Sequence, residues 1–132
     1  MTDKLARAVY NLQAAYKTTP LYKRRGMCLG MTRNALSLES VKLPWNAYPE
    51  NTALGCFADL AANPAKYGWQ VVHHPLPDYC LVFFAGCGRL KDGRIAGHIG
   101  ILHDGVIYSD TPTPMTKWWG ARLKGAFVLI GG

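Results

Sequence analysis

Cys28 and His98 are of the residue types that make and break acyl bonds, and the pattern around each sets out the chemistry it can do. A thiol is a weak nucleophile until ionised, and the partial positive charge of a helix N-terminus beside an imidazolium favours the thiolate. Cys28 opens a stretch, Met27 to Leu38, in which Met27, Met31, Ala35 and Leu38 share one helical face, so it is expected in a first turn. Its own backbone N–H there lacks an intrahelical partner and can donate to an oxyanion on a substrate. His98 starts an apolar strand, Gly97-His98-Ile99-Gly100-Ile101-Leu102, whose glycines leave room for close approach. Asp110 ends the next strand, across a tight Asp104-Gly105 turn, and antiparallel pairing brings the two strands together. A carboxylate so placed accepts from one ring nitrogen and holds the imidazole tautomer. Read singly, each has a plainer alternative: Cys28 a buried hydrophobe, His98 a satisfied core histidine, Asp110 a turn residue before Thr111-Pro112.

The elements that must position these residues are legible as a change of period along the chain. Leu5, Ala8, Val9, Leu12, Ala15 and Tyr16 recur at helical spacing over residues 4 to 17, with Thr2 or Asp3 to cap them. Thr18 to Gly26, with a proline, three consecutive basic residues and a glycine, reads as a loop. The helix carrying Cys28 follows, and Asn51 can cap a third helix that Asn63-Pro64 stops. Beyond Pro64, residues 69 to 72, 80 to 84, 97 to 102, 106 to 109 and 126 to 130 are short β-branched or aromatic runs between Gly, Pro and Asp turns. Helices first and strands afterwards predict an α+β domain, its N-terminal helices packed on an antiparallel meander of about five strands.

The 132 residues suit one domain, since two would each bury too small a core. A hydrophobic fraction of 49% against 17% charged is a globular composition, with no apolar run near the roughly 20 residues of a membrane span. No secretory signal is visible at the N-terminus, so synthesis in the cytoplasm is expected. A formal charge of +7 favours polyanions in general; the basic residues are dispersed apart from Lys23-Arg24-Arg25, and no nucleic-acid-binding signature appears. Specific nucleic-acid recognition is therefore not expected, and a monomer is. Four cysteines, with no Cys-x-x-Cys among them, read as free thiols.

In order and spacing, these features resemble the NlpC and CHAP cysteine peptidases and amidases of the papain-like superfamily. Cys28-Leu29-Gly30-Met31 looks like the family's nucleophile helix, and residues 76 to 84 are similar to its strand leading into the site. Gly97-His98-Ile99-Gly100-Ile101, followed by Asp104 to Asp110, looks like its histidine hairpin. Two departures stand out: Arg25-Gly26-Met27 precedes the cysteine, where the family often has an aspartate or a glycine-rich element. Pro77-Asp78-Tyr79 replaces the usual glycine-aspartate. The resemblance implies amide hydrolysis through a thioester, with Cys28 as nucleophile, His98 as base and Asp110 as third residue, and no cofactor. It further implies bacterial peptidoglycan as substrate, cut at a stem peptide, cross-bridge or sugar-peptide amide. The protein would resemble a phage lysis protein or a delivered antibacterial amidase, acting on the wall after release or delivery. Tyr22, Arg25 and Trp118 are the residues expected to contact substrate.

Two other readings compete. A zinc-dependent amidase would draw ligands from His73, His74, Cys80, Cys87, His98 and His103, although adjacent His73 and His74 point to opposite faces of a strand. A non-catalytic binding module would use the basic surface and exposed aromatic rings such as Trp118 or Trp119 on a wall polymer or other polyanion. Cys56, Cys80 and Cys87 are expected in the core.

Overall fold

The computed structural model describes residues 3–46, 51–88, 90, 92–117 and 122–131. Helix α1 (Lys4–Thr18) starts where the Asp3 carboxylate accepts from the Leu5 N–H at 2.9 Å and the Ala6 N–H at 3.4 Å. Its Leu5, Ala8, Val9 and Leu12 are buried. The segment read as a loop contains a short helix, α2 (Leu21–Arg24), entered from Pro20. Proline and basic residues discourage a long helix there but not a single turn, because a proline before the first turn removes no helical hydrogen bond. Helix α3 (Cys28–Ser37) follows. Thr52 caps α4 (Ala53–Ala62), in place of the expected Asn51, because its hydroxyl reaches the Gly55 N–H at 3.0 Å.

The sheet is antiparallel and has six strands, β1 (Trp69–Val72), β2 (Cys80–Phe84), β3 (His98–His103), β4 (Val106–Tyr108), β5 (Pro112–Pro114) and β6 (Leu123–Leu129), in the order β1-β6-β2-β3-β4-β5. The additional strand is β5. Its two prolines concealed it in the sequence, but an edge strand forms a ladder on one side only and tolerates them. The expected simple meander holds from β2 to β5. The last strand instead returns between β1 and β2, pairing Trp69 with Leu129 on one side and Leu81 with Phe127 on the other.

Alternation along β2 divides the interior. Leu81 and Phe83 join Ile99, Ile101, Phe127 and the buried faces of α1, α3 and α4. Cys80, Val82 and Phe84 pack on the opposite face with Leu102, Ile107, Met115 and Ala126. All five residues of β2 are buried, as a central strand covered on both faces requires. Phe57 of α4 meets Phe83 edge-on, with ring centroids 5.3 Å apart, and fastens that helix to the sheet.

Gly100 sets the spacing between β3 and β4. A Cβ there would lie 2.5 Å from Ile107 Cγ2, 2.9 Å from the Tyr108 carbonyl oxygen and 3.2 Å from Ser109 Cβ. Because one of these atoms is backbone, the strand itself would have to move. Gly100→Ala is expected to lower unfolding free energy by about 1–3 kcal/mol in a urea titration. Unchanged stability would mean that β4 can withdraw from β3 at no cost.

Candidate active site

Cys28 is the first residue of α3, and Met27 at the N-cap offers no side-chain cap. The helix therefore opens with uncapped N–H groups, beside the end of the sheet where β3 begins and β4 ends. Here Cys28, His98 and Asp110, distant in sequence, line one cleft of about 370 Å³ together with Gly26, Gly97, Thr111 and Thr113. Gly97 permits this closure: its φ is +77°, and a Cβ would fall 2.5 Å from Leu54 Cγ and 2.8 Å from the Phe84 carbonyl oxygen. The room left by the glycines flanking His98 is thus filled by the protein's own neighbours.

Ser109 joins His98 to Asp110. Its Oγ is 3.0 Å from His98 Nε2 and donates to Asp110 Oδ1 at 3.0 Å. The expected contact of carboxylate on imidazole thus runs through a buried hydroxyl. Directions follow from counting hydrogens, since a carboxylate only accepts and a hydroxyl has one proton. The Ser109 proton is given to Asp110, so Ser109 Oγ accepts from Nε2–H, and in the neutral form of His98 the basic nitrogen is then Nδ1. The other oxygen, Asp110 Oδ2, accepts from the Gly26 N–H at 3.1 Å, tying the turn before Cys28 to the end of β4.

Two side chains from the N-terminal helices hold this Ser109-Asp110 segment. Tyr16 donates its hydroxyl to the Ser109 carbonyl at 2.7 Å, and Arg24 Nη1 donates to the Asp110 carbonyl at 2.7 Å. The Arg24 guanidinium carbon lies 4.6 Å from the centroid of the Tyr16 ring, and its Nε donates to the Thr19 carbonyl at 2.9 Å. Burial raises the Tyr16 phenol above its ordinary range, which keeps it a donor. Sequence reading missed Ser109, Tyr16 and Arg24. Period-two alternation from buried Ile107 places Ser109 inward, a signal present in the sequence; the other two depend on how α1 and α2 dock.

The thiol itself differs from expectation. Burial pushes Cys28 up to about 11, and the Asp110 charge adds to this, while backbone N–H groups of Ile99 and Leu29 oppose it. Desolvation of the anion outweighs the helix N-terminus, so the resting group is a thiol rather than a preformed thiolate. Iodoacetamide labelling of Cys28, followed by peptide mass mapping, should quicken about tenfold per pH unit on the way to pH 11, since only the anion alkylates. A plateau below pH 8 would instead reveal an ionised thiol at rest.

Tyr22 is 74% exposed on α2 and does not line the cleft, because it lies on the outer side of a single turn whose inward residue is Arg24. Arg25 is likewise exposed, and Gly26 rather than Arg25 forms the cleft wall. Trp118 and Trp119 lie outside the described residues. A second cleft of about 270 Å³ shares Gly26, Cys28, Leu90 and Ala96 with the first and continues past the thiol toward Trp45, Asn51 and Thr52. Trp45 is 55% exposed, and the Arg33 guanidinium carbon lies 4.2 Å from the centroid of its ring.

The zinc ligands considered above are dispersed. Cys80 is in the core, His73 and His74 are exposed beyond the end of β1, and the His103 ring stacks on Tyr79 with its Nδ1 3.1 Å from an Asp78 carboxylate oxygen. Among the described residues no three His, Cys, Asp or Glu side chains are grouped to hold a metal ion. Cys56 is buried as expected, whereas Cys87 is half-buried and close enough to Cys28 to act on its ionisation. No helix among the described residues is long and apolar enough to cross a membrane. Comparison with protein-family models, with curated proteins and with solved structures gives no significant match for this chain.

Proposed function

We propose that this protein is a cysteine amidase or endopeptidase that cleaves an amide of bacterial peptidoglycan. The observation that carries the reading is the convergence of Cys28, His98 and Asp110 on one cleft, with Cys28 at an uncapped helix start. His98 Nδ1 takes the thiol proton as the sulfur attacks the carbonyl carbon, so no free thiolate has to exist beforehand. Backbone N–H groups at the start of α3 receive the developing oxyanion. The tetrahedral intermediate collapses, the C–N bond breaks, and the imidazolium returns its proton to the leaving amine. Water, deprotonated by His98, then attacks the thioester and releases the acid and the Cys28 thiol. Ser109 and Asp110 hold the imidazole in the required tautomer throughout.

A helix bearing the nucleophile, laid against a strand that begins with the base, also supports a papain-like core of the NlpC and CHAP type. For the substrate, support comes from a cleft that continues on both sides of Cys28, from the exposed Trp45 ring along it and from the +7 charge, which suits an acidic wall. The protein acts on the wall after release or delivery.

Purified peptidoglycan incubated with the protein should yield soluble fragments with new amino and carboxyl ends at one amide, identified by mass spectrometry. Intact polymer after incubation would remove peptidoglycan as the substrate.

A further inference from the structure

A third cleft, about 610 Å³ and larger than the two beside Cys28, lies past the other end of α3. Cys28 begins that helix and Ser40, on the cleft wall, follows its end, so the two places are separated by about 14 Å of helix. Lys4, Lys42 and Lys66 line the cleft beside Tyr67, Leu129 and Ile130, and its described lining contains no Asp, Glu or Arg.

The three lysines come from separate elements, and each backbone is anchored. Lys4 sits in the first turn of α1, behind the Asp3 cap. Lys42 gives its carbonyl to the Trp69 indole N–H at 3.2 Å. Lys66 lies in the 3-10 turn Pro64–Tyr67, closed by left-handed Gly68, whose carbonyl accepts from the Ile130 N–H at 2.9 Å. None of the three forms an ion pair with a described residue, although Lys66 Nζ lies 5.4 Å from the centroid of the Tyr67 ring. The carboxylate of Glu39 faces Lys4 but is engaged by Arg7 and Asn11, whose hydrogen bonds hold it below its ordinary range. Asp3 is occupied by its cap. Three cationic residues thus line one cleft with little acidic compensation, which favours the entry of an anion.

The type of cation indicates the type of anion. A planar carboxylate is matched by the guanidinium fork, which the described lining lacks, whereas lysines carried by three separate elements suit a tetrahedral oxyanion with oxygens on several sides. The apolar part of the wall, with Leu129, Ile130 and the Tyr67 ring, suits an organic body carrying that oxyanion. We propose that this cleft is a second binding site, independent of Cys28, for an organic phosphate, either a free phosphomonoester or a unit of a phosphodiester chain.

The test is calorimetric titration of the full-length protein with glycerol 3-phosphate, with poly(glycerol phosphate) and with poly-glutamate of matched length. Two variants each remove three positive charges: Lys4→Gln, Lys42→Gln and Lys66→Gln in the cleft, against Lys17→Gln, Lys23→Gln and Lys124→Gln outside it. Thermal melting would verify that both are folded. At least one phosphate probe should bind wild type, the cleft variant should bind it about tenfold more weakly or worse, and the outer variant should stay within about twofold. Binding of the monomer identifies a free phosphate as sufficient, and binding of the polymer alone identifies the chain. Equal loss in both variants would reduce the effect to net charge and overturn the proposal. Equal affinity for poly-glutamate, or no binding of either phosphate probe, would overturn it as well.

Discussion

Replacing Cys28 by alanine is expected to abolish amide cleavage, with release of peptidoglycan fragments falling about 10³-fold or more while the protein stays folded. The magnitude follows from the route proposed: without sulfur there is no thioester, and only binding and the oxyanion donors remain to assist direct attack by water. The fold should survive because the side chain is half-buried at the first position of α3, where alanine is a good helix former. Far-UV circular dichroism and thermal melting would verify that. The variant should also be more resistant to alkali. Burial raises the folded-state pKa of Cys28 to about 11, so the folded protein retains a proton that the unfolded chain gives up from about pH 9. This group's contribution to stability is complete below the unfolded value and is lost as pH rises through that window. A Cys28→Ala protein that cleaves at the wild-type rate would remove the thiol from the mechanism.

The second large effect is expected at the far end of the relay. In Asp110→Asn the amide orientation is dictated by the site, because the Gly26 N–H needs an acceptor and so faces the amide oxygen. The amide NH₂ then faces Ser109 Oγ and donates to it. Ser109 must in turn direct its proton to His98 Nε2, which places the imidazole hydrogen on Nδ1 and leaves that nitrogen unable to take the thiol proton. The loss should be about 10²-fold or more in kcat with little change in KM, since substrate binding is not the function of this pair. Ser109→Ala interrupts the relay without reversing it, so its loss should be smaller, about tenfold. His98→Ala should be as damaging as Cys28→Ala. Steady-state kinetics of the four variants gives the order, and an Asp110→Asn enzyme as active as Ser109→Ala would contradict the inverted tautomer.

The helical spacing of α1, α3 and α4 was readable because burial on one face imposes a period of 3.6 on residue type, and β2 was readable as a short unbroken apolar run because both its faces are covered. The same local rules put Cys28 at a helix start and His98 at a strand start, and these positions depend on neighbours within one turn or one hairpin. Local rules failed at β5, where edge position overrides the meaning of proline, and at α2, where one turn fits inside a loop composition.

What the amino-acid sequence determined by itself was the α+β class and the candidate nucleophile, base and acid. Tertiary structure decided the rest. The insertion of β6 between β1 and β2 is a pairing choice that no local pattern encodes. The interposition of Ser109, the Tyr16 and Arg24 clasp on its segment, and the exclusion of Tyr22 from the cleft all depend on how α1 and α2 dock against the end of the sheet. The raised Cys28 pKa was equally out of reach, because desolvation is set by every atom packed around the sulfur, whereas helix position is set by the chain on either side of it.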